Sequence, residues 1–113
     1  LVKGITFKEN VPDIRNSKVI DIINELKEYG INVLVEDVYA EKEEVEKEYK
    51  IELQENVKDV DVIVFAVAHN EYKETSVEDM KTTLKDDRNL IIDIKAMFDK
   101  EKLEKEGLKV WRL

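Results

Sequence analysis

Two lysines stand where an ammonium group could meet an anion. Lys8 follows the apolar run "LVKGITF" and Lys95 follows "NLIIDI", so each sits where a strand gives way to a loop. Two cations brought to one crevice would suit a diphosphate, helped by amide donors at a helix beginning near Ser17. Taken singly, lysines at strand ends are ordinarily just solvated. Between them in sequence, Asp13 and Arg15 lie two apart beside Pro12 and could close a local ion pair. An exposed pair of this kind adds little stability but sets loop geometry, so it reads as a structural clasp.

The remaining candidates for chemistry are fewer than the charge content suggests. His69 is the one histidine, and a lone imidazole makes neither a metal site nor a triad; it reads as a polar contact or loop packing at a strand end. The chain has no cysteine, which excludes disulfides, thiolate metal sites and a cysteine nucleophile within it. Its Asp and Glu residues fall mainly in helical runs interleaved with Lys, the pattern of solvated faces. Gly4 belongs to no G-x-G-x-x-G fingerprint, and Phe98 and Trp111 read as core or core edge. Neither a catalytic residue nor a metal ligand is expected here.

With 113 residues, 42% of them hydrophobic and 41% charged, the chain is sized for one domain, residues 1–113, with solvated outer helix faces. A net charge of −8 argues against a general nucleic-acid surface. No apolar run approaches a membrane span and no leader signature opens the chain, so a cytoplasmic protein is expected. The sequence begins at Leu1, inside what reads as a strand, and is taken as a piece of something longer.

The elements that must position these residues follow from periodicity. Strands are predicted in "LVKGITF", "INVLVEDV", "VDVIVFAVA", "NLIIDIK" and "LKVWRL", the third apolar throughout and hence central. Helices are predicted in "SKVIDIINELKEYG", with Val19, Ile22, Ile23 and Leu26 on one face, in "AEKEEVEKEY", in "SVEDMKTTLKD" and after Asp99. Alternation of strand and helix implies an α/β fold: a Rossmann-like three-layer sandwich with a mostly parallel central sheet of about five strands. Ligands in such sheets bind beyond the carboxyl ends of the strands. The stretch "GITFKENVPDIRNS" is a longer connection than the fold requires, and long connections are often functional.

That stretch, together with "DVDVIVFAVAHNEY" and "LIIDIKAMFD", resembles the carboxyl-terminal, UDP-binding domain of the UDP-glucose/GDP-mannose dehydrogenase family, on the branch acting on UDP-N-acetylhexosamines. The resemblance implies that a separate amino-terminal domain binds NAD and supplies a catalytic cysteine. It also implies oxidation of the sugar C6 alcohol to a uronate for surface polysaccharide, through a thiohemiacetal and a thioester, by a homo-oligomeric enzyme. Residue by residue, it places Phe7, Lys8 and Lys95 against the UDP-sugar. Asp13, Arg15 and Ser17 shape the loop and the helix start. By itself this chain is expected to be inactive. The competing expectation is a noncatalytic Rossmann-like binding or assembly module.

Overall fold

The computed structural model describes residues 1–112. Its five strands are β1 (Val2–Lys3), β2 (Val35–Glu36), β3 (Val62–Phe65), β4 (Leu90–Asp93) and β5 (Lys109–Trp111). Its helices are α1 (Val19–Glu28), α2 (Lys42–Tyr49), α3 (Asn70–Lys73), α4 (Val77–Thr83) and α5 (Lys100–Lys105). All strand pairs are parallel, in the order β2-β1-β3-β4-β5, with Val2 opposite both Val35 and Val64, and Ile91 opposite Ile63 and Val110. A single bridge from Leu53 to Val35, reinforced by the Gln54 N–H donating to the Val35 carbonyl at 2.7 Å, adds a rudimentary position outside β2. Counting it as a strand gives the doubly wound order 3-2-1-4-5-6 of dinucleotide-type sheets.

Helices cover both faces. Val19 and Ile23 of α1 and Val45 of α2 join Val2, Ile5, Ile14, Val35, Leu53 and Val64 in one core cluster. Tyr72 of α3, Met80 of α4 and Leu103 of α5 join Ile63, Phe65, Ile91 and Phe98 in the other. Each fully buried Ile or Val contributes roughly 1.5–3 kcal/mol relative to leaving it in water. The predicted face of α1 is the one buried, with Ile22 and Leu26 half-covered beside Val19 and Ile23. α2 needs only the thin stripe of Ala40, Val45 and Tyr49, and the Tyr49 hydroxyl adds a bond to the Ile14 carbonyl. Two helix ends are capped: the Asp99 side chain accepts from the Lys102 N–H at 3.2 Å, and Gly30 stops α1 at φ +80°.

Three elements depart from expectation. The runs 1–7 and 31–38 read as full strands, yet only Val2–Lys3 and Val35–Glu36 pair as such. The chain turns at Gly4, and the N–H groups of Ile5, Tyr39 and Ala40 go to the Asp37 carboxylate instead of a neighbouring strand. The one-turn helix α3, directly after His69, is too short to announce itself by periodicity.

Candidate functional site

Strand order reverses between β1 and β3: from β1 the chain moves outward to β2, and from β2 it returns to β3 on the other side. The carboxyl ends of β1 and β3 therefore border the crevice where such sheets take ligands. Gly4 makes the approach possible. At φ +105° it sits so near the chain leaving β3 that an added Cβ would lie 2.6 Å from the Val67 Cβ and 2.9 Å from the Val67 nitrogen. Only a residue without a side chain fits there.

Beyond Gly4, the connecting loop is held from beneath by side chains. The Asp37 carboxylate, wholly removed from solvent, accepts from the Ile5 N–H at 2.7 Å, the Tyr39 N–H at 2.7 Å, the Ala40 N–H at 3.0 Å and the His69 Nε2 at 3.1 Å. Burial pushes its pKa up, but the hydrogen bonds from His69 and these amides outweigh burial and hold the carboxyl below its ordinary value. His69 is fully buried as well. Its Nδ1 accepts from the Asn10 N–H at 2.8 Å, so the ring proton belongs on Nε2, facing Asp37 and, at 3.2 Å, the Thr6 hydroxyl oxygen. The Thr6 hydroxyl in turn donates to the Lys8 carbonyl at 2.8 Å. The contact between His69 and Asp37 is thus a charge-assisted hydrogen bond, not an ion pair of two charges.

The loop is closed on itself and on α3. The Phe7 N–H donates to the Asp13 carbonyl at 2.8 Å, and the Asn70 N–H, opening α3, donates to the Asn10 side chain at 2.8 Å. Asn10 adopts φ +63°, a left-handed conformation that Asn tolerates better than most residues. Asp13 and Arg15 form the expected clasp, with the guanidinium on both carboxylate oxygens at 3.0 and 3.1 Å. Those bonds lower the Asp13 pKa and raise that of Arg15. Ser17, buried, accepts from the Val19 N–H at 3.3 Å at the start of α1.

Phe7 and Lys8 emerge from this frame into solvent, Phe7 at 48% exposure with the Lys8 Nζ 5.8 Å from its ring centre. Lys95 is exposed in the turn after β4, on the far side of β3. That turn is organised by buried Asp93, whose carboxylate accepts from the Met97 and Phe98 N–H groups at 3.0 Å each. Two clefts border other residues at the same ends of β1 and β2. One of about 510 Å³ borders Lys3, Glu36 and Tyr72, and one of about 490 Å³ borders Asp37, Ala40 and Gln54. Phe7, Lys8 and Lys95 are all exposed, and none of them lines either cleft.

Sequence reasoning missed Asp37 and Asp93 and undervalued His69, although each lies at the end of an apolar run. Phe98 is buried as expected, but Trp111 stands 54% exposed on β5 and joins neither core cluster. The residues present do not fit NAD. The path from β1 to α1 takes residues 4–18 instead of a tight glycine turn, and the space beside Gly4 is occupied by Val67 of the same chain. Among the described residues there is no group of three His, Cys, Asp or Glu that could hold a metal ion. Nor is any helix among them long and apolar enough to cross a membrane.

Fold and site together define an α/β domain of the doubly wound class, with an ordered, cation-bearing loop at its switch point and no dinucleotide fingerprint. A family model described as the UDP-glucose/GDP-mannose dehydrogenase family, UDP binding domain, matches residues 1–100, and the chain belongs to that family. It is 45% identical to Protein CapL of Staphylococcus aureus across 99% of this chain and 26% of that protein. It is 39% identical to UDP-N-acetyl-D-glucosamine 6-dehydrogenase of Salmonella typhi across 89% of this chain and 24% of that one. With UDP-N-acetyl-D-mannosamine dehydrogenase of Methanocaldococcus jannaschii the identity is 36% across 97% and 25%. The chain therefore spans about a quarter of the length of these relatives. The crystal structure of NDP-N-acetyl-D-galactosaminuronic acid dehydrogenase from Methanosarcina mazei Go1 superposes with a TM-score of 0.84 at 20% identity, over 98% of this chain and 23% of that one; this likeness concerns the fold.

Proposed function

We propose that this chain is the UDP-sugar-binding domain of an NAD-dependent UDP-N-acetylhexosamine 6-dehydrogenase, which oxidises the sugar C6 alcohol to a uronate for surface polysaccharide. The observation that carries the reading is the loop at the switch point, pinned from below and presenting Phe7 and Lys8 outward. Lys8 and Lys95 meet the diphosphate from either side of β3, Phe7 packs against the nucleotide, and Asp13, Arg15 and Ser17 keep the loop in shape. NAD and the catalytic nucleophile belong to another domain of the same protein, which supplies the second wall of the crevice. The whole enzyme is a cytoplasmic homo-oligomer on this reading. The names of the relatives favour an N-acetylhexosamine over other sugars.

The test is a titration of UDP into the isotope-labelled chain, with ATP as control. Selective, saturable amide shifts are expected at Thr6 to Asn10, His69 to Tyr72 and Lys95. In the full-length enzyme, Lys8→Ala and Lys95→Ala are each expected to raise KM for the UDP-sugar about tenfold or more with kcat nearly unchanged, as loss of a charge-assisted phosphate contact would. Unaltered KM in both variants, with no uridine selectivity in the titration, would leave a noncatalytic binding or assembly module as the better description.

A further inference from the structure

We propose that Asp37, His69 and Thr6 form a buried positioning relay for the nucleotide loop, fixing the backbone from which Phe7 and Lys8 project. The inference rests on the reading of that loop as a uridine nucleotide site. It assigns a role in binding to three residues that never reach the ligand themselves.

The geometry points to this role because the relay grips alternate residues of one short segment. Thr6 meets His69 through its hydroxyl oxygen, Lys8 is held at its carbonyl by the same hydroxyl, and Asn10 is held at its N–H by the other ring nitrogen. Phe7, between them, is tied at its N–H to Asp13. The Phe7 N–H and the Lys8 carbonyl are therefore tied within the loop, and the Asn10 N–H just beyond them is tied to His69. A buried imidazole needs partners for both nitrogens whatever its role, so the identity of those partners is what distinguishes this one. Here both nitrogens are spent on the loop and its anchor, and the supporting carboxylate comes from the end of another strand, β2.

The tautomer is part of the device. Asn10 requires a bare Nδ1, while Asp37 and Thr6 require a hydrogen on Nε2, and both requirements are met by one form of the ring. Asp37 fixes that form by offering only acceptors to Nε2, and its remaining capacity is filled by backbone N–H groups. Tyr39 and Tyr72 flank the ring, with centroids 4.7 and 5.4 Å away, and limit its rotation.

A merely structural role and a positioning role differ in what they do to binding once the fold is intact. Thr6→Val keeps the shape of the side chain and removes the hydroxyl that joins His69 to the Lys8 carbonyl; Thr6→Ser keeps the hydroxyl. In the full-length enzyme, Thr6→Val is expected to raise KM for the UDP-sugar about fivefold to tenfold, the net worth of one such bond, with kcat within about twofold. Thr6→Ser is expected to return KM to within about threefold of wild type, a residual of less than one hydrogen bond. His69→Gln, which leaves Asn10 without its acceptor, is expected to weaken UDP binding at least as much as Thr6→Val does.

Wild-type KM in Thr6→Val, with UDP still bound selectively by the wild type, overturns the relay and leaves the nucleotide site standing. A wild type without selective UDP binding overturns the site and the relay together. Should Thr6→Val and His69→Gln fail to fold, the long-range proton–nitrogen spectrum of the wild-type imidazole decides: a proton on Nε2 and a bare Nδ1 are expected, and a proton on Nδ1 refutes the relay.

Discussion

Replacing Gly4 by Ala tests the geometry on which the whole mouth of the sheet depends. Two costs act at once. An L-residue at φ +105° carries backbone strain of about 1–3 kcal/mol. The new methyl group would stand 2.6 Å from the Val67 Cβ, well inside the roughly 3.5–4.0 Å of an ordinary carbon contact. Relief requires β1 and the chain after β3 to part, an overpacking cost of about 1–3 kcal/mol. The sum is about 2–6 kcal/mol, against roughly 6–17 kcal/mol expected for a domain of 113 residues. Gly30→Ala is the matched control. Gly30 also has a positive φ, +80°, but nothing lies within 4 Å of its added Cβ, so backbone strain alone, about 1–2 kcal/mol, should appear. Urea unfolding followed by far-ultraviolet circular dichroism would give both values. The difference between the variants, about 1–4 kcal/mol, is mainly the close approach to Val67, with at most about 1 kcal/mol from unequal backbone strain. Equal destabilisation in the two would refute the reasoning, because it would mean that the ends of β1 and β3 separate freely.

Two further outcomes follow from the buried polar groups. Because the folded state holds the Asp37 pKa below its unfolded value of about 3.9, the carboxylate contributes stability above about pH 4 that is lost as pH falls through the folded pKa. Asp37→Asn should cost at least about 2 kcal/mol at pH 7 and flatten the acid limb of the stability profile; an acid limb as steep as that of wild type would exclude Asp37 as its source. The buried Tyr72 hydroxyl makes no hydrogen bond of good geometry among the described residues, with only looser approaches to Glu36 and the Val38 backbone, and burial, then the nearby Glu36 and Asp37 charges, push its pKa far above the usual range. Tyr72→Phe should therefore leave stability unchanged or raise it by up to about 1 kcal/mol, and a clear loss by thermal unfolding would mean that the hydroxyl has a partner in solution.

The architecture was largely legible because each helix and strand announces itself locally. Val62–Phe65 lies at the centre of the sheet, as its unbroken apolar run implied, and the long connection after β1 is where the ordered loop lies. What local pattern could not show is where strands stop. The N–H groups of Ile5 and Asn10 are claimed by Asp37 and His69, 32 and 59 residues away, and no window of a few residues contains that information. A signal was nevertheless available. Asp37 is in phase with buried Val35, and Asp93 with buried Ile91, so each carboxylate occupies a core-facing position where charge is tolerated only with partners. Lys3 shows the same logic from the opposite sign. It breaks an apolar strand, yet it is only 16% exposed, paired with Glu36 at 3.6 Å and lying over the Phe65 and Tyr72 rings.

The loop's attachment has a consequence for how the domain comes together. Thr6, Asp37 and His69 belong to the ends of three different strands, and the contacts among them close chain segments of 31, 32 and 63 residues. Closures that long come at an entropic cost that is recovered only once the intervening strands have paired. The loop is therefore expected to take its shape late, after β2 and β3 have docked on either side of β1. On the proposed reading of this loop, nucleotide affinity would serve as a gauge of completed folding: a lesion anywhere that loosens β2 from β1 is expected to register at Lys8, even with every residue near the ligand unchanged.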